Sequence, residues 1–187
     1  MKKSWKVLLA VVVIVVAVTT VVSVAVAWPS GATEPLQKSL RSGAFNISGT
    51  FSGVAAVDDA KPYVDAETNT MVMVNIGYNQ VHGSFEGINR VENVVTLDLT
   101  TGTFTLEGVG YFTGTLNGVA GTLVAKETGS GQFSDDTGLN YTLHGESAFA
   151  AGTGGLASVI GGSISFDEKV VNGADTPVAY GGTIQVK

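Results

Sequence analysis

Two hydrophobic patterns divide this chain. From Val7 to Ala27 the residues are uncharged and mostly Val, Ile, Leu and Ala, with no periodicity. Beyond Gly43 apolar residues recur at every second position, the period of a strand with two unlike faces. Residues 29–42 lie between the two regimes. Pro29, Gly31 and Pro35 break regular structure there, and Lys38 and Arg41 keep the segment solvated, so it reads as a linker.

The first pattern predicts an N-terminal helix over residues 1–28 that enters or crosses a membrane. A helix rises about 1.5 Å per residue, so 21 uncharged residues cover roughly the 30 Å of bilayer hydrocarbon. Lys2, Lys3 and Lys6 precede the run, which favours a cytoplasmic N-terminus, and Trp28 suits the opposite interface. Two readings fit. A signal-anchor matches the length, whereas Ala25-Val26-Ala27 supplies the small-x-small cleavage site of a secretory signal peptide. Both place the rest of the chain outside the cytoplasm, either membrane-anchored or secreted. Lipoprotein attachment is excluded, because the chain has no Cys.

The second pattern predicts about eight antiparallel strands: 44–57, 71–82, 91–99, a 103–108 plus 111–116 pair of runs, 119–127, 139–149, 160–166 and 178–186. Val72, Val74, Ile76 and Tyr78 share one face of the second, and Val91, Val95, Leu97 and Leu99 share one face of the third. Residues 58–69 and 83–89 read as a loop and a turn, and 129–138, 150–156 and 167–177 as further connections. Asn117-Gly118 between two strand-like runs is a strong hairpin signal, because a type I′ turn needs positive φ at both central positions. Local connections favour an all-β fold, a single antiparallel barrel over residues 43–187, since closure removes exposed edges. A two-sheet sandwich is the alternative.

Composition narrows the function classes. All 25 glycines lie beyond the leader, as tight turns and bent strands require. Without its three leader lysines the chain carries seven basic and sixteen acidic residues, a formal charge of −9. That surface repels phosphate backbones, so no nucleic-acid partner is expected. The lack of Cys removes disulfides and thiolate chemistry.

The hairpin Phe112-Thr113-Gly114-Thr115-Leu116-Asn117-Gly118, with Gly121-Thr122-Leu123, resembles the F-x-G-x-L-x-G-x-x-G pattern of DUF3224, a bacterial family of unknown function. The turn Gly152-Thr153-Gly154-Gly155-Leu156-Ala157 and the following Gly161-Gly162-Ser163 resemble that family's second signature. The same turn is similar to one in the wider allene oxide cyclase-like group of barrels, which includes dirigent proteins. The resemblance covers roughly residues 44–166. It implies an eight-stranded antiparallel barrel with an apolar central cavity, and it carries over no activity or catalytic residue. The leader, the 58–69 insertion and the C-terminal strand depart from it.

Candidate chemistry is sparse. Gly152-Thr153-Gly154-Gly155 would need a following helix to cradle phosphate, and a tight turn is the plainer reading. His82 and His144, with Glu86 or Glu146, would hold a metal only if their strands were adjacent, and no metal or cofactor is expected. Thr142, His144 and Glu146 share a strand face, but alternate residues lie roughly 7 Å apart, too far for direct general acid–base pairing. Asp58-Asp59 and Asp135-Asp136 lack the spacing of a calcium loop. Asn46-Ile47-Ser48 and Asn140-Tyr141-Thr142 match the N-glycosylation acceptor. No serine-hydrolase elbow is present.

Three functions are compatible with this sequence. The first is a binding module whose interior, lined by residues such as Phe45, Val74, Ile76, Leu97, Phe112 and Leu123, holds a small apolar ligand. The second is a surface protein with a filled core. The third is a cyclase or isomerase acting on a hydrophobic substrate, which requires an inward carboxyl with a raised pKa, Glu107 or Glu127 being the candidates. An enzyme is the less favoured of these.

Overall fold

A computed structural model describes residues 39–57, 62–135, 138–174 and 176–187. The predicted leader helix, residues 29–38 of the linker, Asp58-Asp59 and Asp136 lie outside the described residues. The period-two sequence forms nine strands: β1 (Gly43–Val57), β2 (Tyr63–Asp65), β3 (Thr70–Gly83), β4 (Phe85–Asp98), β5 (Thr103–Leu116), β6 (Val119–Phe133), β7 (Tyr141–Gly154), β8 (Val159–Val170) and β9 (Val178–Val186). All pairings are antiparallel. The order is β1-β9-β8-β7-β6-β5-β4-β3-β2, and β1 also pairs with β3. That last pairing closes the sheet into a ring.

β2 accounts for the difference between the eight strands expected and the nine observed. β1 takes the edge of β3 from Ile76 to Gly83, and β2 takes the same edge from Thr70 to Val72. β2 thus continues the course of β1 after an excursion, and eight long strands make up the ring.

The strands run longer than the sequence pattern predicts. Residues 83–89 are not an extended turn: β3 and β4 turn at Gly83-Ser84, and pairing resumes at Val81 with Gly87. Residues 103–116 form one strand. β6 continues through 129–133, β7 through 150–154 and β8 through 167–170. Glycines mislead here because they serve packing inside strands. A Cβ at Gly131 would collide with the Phe104 ring, and one at Gly145 with the Phe166 ring. The Asn117-Gly118 turn has the expected conformation, with φ of 50° and 79°.

Two apolar clusters pack inside the ring. One joins Ile47, Leu116, Leu123, Leu156, Ile184 and their neighbours at the end that holds the β5–β6 and β7–β8 turns. The other joins Met71, Leu97 and Phe104 near the opposite end, with Phe133 and Tyr141 packed against them. Leu116, Leu156 and Ile184 are fully buried, and each such side chain contributes about 1.5–3 kcal/mol by leaving water. Phe45, Leu97, Phe112 and Leu123 face inward as expected. Val74 and Ile76 do not. Val74 is 40% exposed and pairs with Val94, 46% exposed, while Ile76 sits opposite Glu92. The face of β3 that carries Val72, Val74 and Ile76 is its outer face. Period two separates the faces of a strand without saying which is inside.

Tyr180 on β9 ties the ring across its interior. Its hydroxyl donates to the His82 carbonyl at 3.2 Å and accepts the Phe85 N–H at 3.2 Å, so it satisfies both sides of the β3–β4 turn. Gly49 leaves the room, since a Cβ there would lie 2.5 Å from that hydroxyl. Tyr180→Phe should lower stability by about 1–3 kcal/mol, because it orphans a buried donor and acceptor while keeping the ring. Urea unfolding monitored by circular dichroism checks this: the midpoint should fall with the slope unchanged.

Candidate functional site

Between the two apolar clusters the interior is hollow. The cavity measures about 410 Å³ and reaches from the aromatic layer of Phe85, Phe112, Phe149 and Tyr180 toward Gly138 and Gly173 at the opposite end. The rings of that layer meet at centroid distances of 5.0 Å for Phe85–Phe112 and 5.6 Å for Phe85–Phe149. They form a rigid apolar floor.

A polar belt crosses the hollow at mid-height. Backbone register places Asn75, Asn93, Gly108, Glu127 and Ser147 in one row across five consecutive strands, from β3 to β7. All face inward, because Asn93, Glu127 and Ser147 are buried within the ring and Asn75 lines the cavity. Asn79 and Asn89 pair with each other two levels away, again facing the cavity.

Two glycines on β5 make this belt possible. A Cβ at Gly108 would strike the Asn93 side chain, and one at Gly110 would strike the Glu127 carboxyl. Smooth wall at these positions lets longer polar side chains from β4 and β6 lie flat across it. Glu127 is 5% exposed. The Ser147 hydroxyl donates to its Oε2 at 2.6 Å, and the Asn89 side chain also hydrogen-bonds it. Burial pushes the Glu127 carboxyl above the ordinary carboxylate range, and these two donors only partly offset that. Asn93 is 8% exposed, and its Oδ1 has no donor among the described residues.

Among the described residues the cavity's charged groups are Glu127 and Glu168, with no Lys, Arg or His on the lining. Glu168 accepts the Tyr141 hydroxyl at 3.0 Å. The described lining therefore offers apolar surface, carboxyls and side-chain amides.

The remaining sequence candidates lie elsewhere. Glu107 is exposed on the outer face, opposite Val94. His82 Nδ1 meets Glu86 Oε2 at 3.0 Å, and both side chains are more than half exposed. His144 takes Asp167 of β8 at 2.8 Å rather than Glu146 of its own strand. β3 and β7 are not neighbours, so the two histidines are not brought together, and no group of three His, Asp or Glu among the described residues could hold a metal. β8 follows the 152–155 turn, so no helix N-terminus is there to bind phosphate. Asp135 accepts the Gly138 N–H at 3.2 Å and the Asn140 side-chain amide. Asn46 is exposed on β1.

Sequence reasoning picked out Glu127 but missed its companions. Asn75 and Asn79, then Asn89 and Asn93, stand four residues apart on strands that pair with each other. Polar residues recurring on one strand face, matched on the next strand, were the available signal.

The raised carboxyl sets a pH dependence. In the unfolded chain Glu127 titrates near the ordinary value of 4.5, and in the folded chain it titrates higher. Its contribution to stability is therefore fully present below about pH 4.5 and is lost as pH rises through the folded value. Glu127→Gln removes this loss. Thermal melts between about pH 4 and 8 should show the variant gaining on the parent as pH rises, and parallel curves would contradict the assignment. A scan against models of protein families returns no match, and a search among curated proteins returns none.

Proposed function

We propose that this chain is a small-molecule-binding module. Its ring of strands is an eight-stranded barrel of the allene oxide cyclase-like kind, in keeping with the resemblance to DUF3224, and its lumen takes an apolar ligand. The observation that carries this reading is the cavity of about 410 Å³ that runs inside the ring from the aromatic layer to Gly138 and Gly173. At roughly 30 Å³ per non-hydrogen atom, that space accommodates a ligand of a dozen atoms or so. Eight strands are the number at which a barrel either fills with side chains or admits one small ligand. A solid core would have favoured a purely structural role.

The binding module works outside the cytoplasm, anchored by or released from its N-terminal apolar segment, residues 7–27. Apolar walls supply most of the affinity and the polar belt orients the ligand, the usual division of labour in small-molecule sites.

A second reading, an isomerase or cyclase on a hydrophobic substrate, draws on Glu127. A buried carboxyl with a raised pKa is suited to general acid–base work. Ligand binding is preferred because the belt offers no second titratable group beside Glu127 to complete an acid–base pair.

Native mass spectrometry of the chain purified from its own host tests the binding reading. A reproducible extra mass that leaves on denaturation is expected. Ala125→Phe, which projects a ring into the lumen beside Glu127, should abolish that mass while leaving the far-ultraviolet circular dichroism unchanged. A bare mass from the parent chain would shift weight to a structural role.

A further inference from the structure

The polar belt says more about the ligand than its size. Glu127 brings a carboxyl and Asn93 brings an amide oxygen without a donor among the described residues, and both lie against β5 over glycines one level apart. Both are more than nine-tenths buried. Glu168, the other charged group on the cavity wall, is also acidic. Leaving a buried acceptor without a donor is costly, so a ligand that supplies the donor recovers that cost. With carboxyls as the charged groups among its described lining residues, the lumen is complementary in charge to a cation.

We propose, building on the binding reading above, that the ligand is a lipophilic amine whose protonated nitrogen donates to the Glu127 carboxylate and the Asn93 amide oxygen while its apolar body rests on the aromatic floor. An ammonium has three donors and no acceptor, which matches a site rich in acceptors. A carboxylate ligand would face Glu127 as a like charge, and an alcohol would supply a donor without the charge.

The test uses three probes with one rigid cage and different heads: 1-adamantylamine, 1-adamantanol and 1-adamantanecarboxylate. Each is titrated calorimetrically into the full-length chain after its bare mass has been verified. The amine should bind about tenfold or more tightly than the alcohol, and the carboxylate most weakly, as expected for a charge-assisted contact. Amine affinity should rise with pH as Glu127 loses its proton, while alcohol affinity stays nearly flat. Glu127→Gln should remove both the tenfold preference and the pH dependence, with its far-ultraviolet spectrum verifying the fold. The pH series on the parent chain answers the same question should that variant fail to fold.

The outcomes separate. If none of the three probes binds, the ligand-binding reading itself falls. If all bind with equal affinity, or the alcohol or carboxylate binds best, the cavity reading stands and the amine proposal is overturned. If the amine is preferred but Glu127→Gln and pH leave the preference intact, the amine sits elsewhere and the proposal is likewise overturned.

Discussion

Everything in this molecule depends on β1 pairing on both edges. Its residues 43–51 pair with β9, and its residues from Gly49 onward pair with β3. Only Gly49, Thr50 and Phe51 have partners on both sides at once, so the seam of the ring is a stagger three residues wide. Gly49 faces Tyr180 on one side and Gly83 on the other, and the Tyr180 hydroxyl spans from there to His82 and Phe85. With no Cys in the chain, this joint does by hydrogen bonding what a disulfide would do in many exported domains. If it opens, β1 and β3 each expose a row of unpaired backbone groups, the edge that closure removes.

Closure also frees the middle of the interior. In an open sheet the whole inner face must be covered to make a core. Here the strands wrap their own core, and two clusters, one around Leu116 and Ile184 and one around Met71 and Leu97, take the apolar burial at the ends. The layer between can then be polar and hollow without unravelling the sheet, because its backbone is already paired around the full circumference. The row Asn75, Asn93, Gly108, Glu127, Ser147 occupies that layer.

The fold was legible in the sequence to the extent that local chemistry dictates it. Alternation located every long strand, and Asn117-Gly118 fixed one hairpin to the residue. Strand ends were less legible, since Gly87, Gly129, Gly131 and Gly152 look like breakers but pack under neighbouring side chains and backbone. The inside–outside assignment of β3 was not legible at all. Val72, Val74 and Ile76 form its more apolar face, and hydrophobicity alone puts that face inward. The real inner face carries Asn75, Gly77 and Asn79, because the neighbouring space is a lined cavity rather than a packed core. The same inversion hid most of the site. Glu127 could be singled out as an acid on a patterned strand, but its row partners lie on other strands, as far off in sequence as Asn75, and only register brings them level.

The belt is expensive to the fold, and that cost is an argument about what it does. Leucine or valine at position 127 would fill space without desolvating a carboxyl, and glycine at 108 and 110 gives up both strand propensity and apolar contact. Replacing buried charged groups with well-packed hydrophobic ones of similar volume is often neutral or stabilising. Stability alone therefore does not explain a carboxyl held by Ser147 and Asn89, an amide oxygen left without a donor, and two glycines cleared to make room for them. Such features gather where a structure is arranged for something that enters it. In this ring they gather along the wall of the interior cavity.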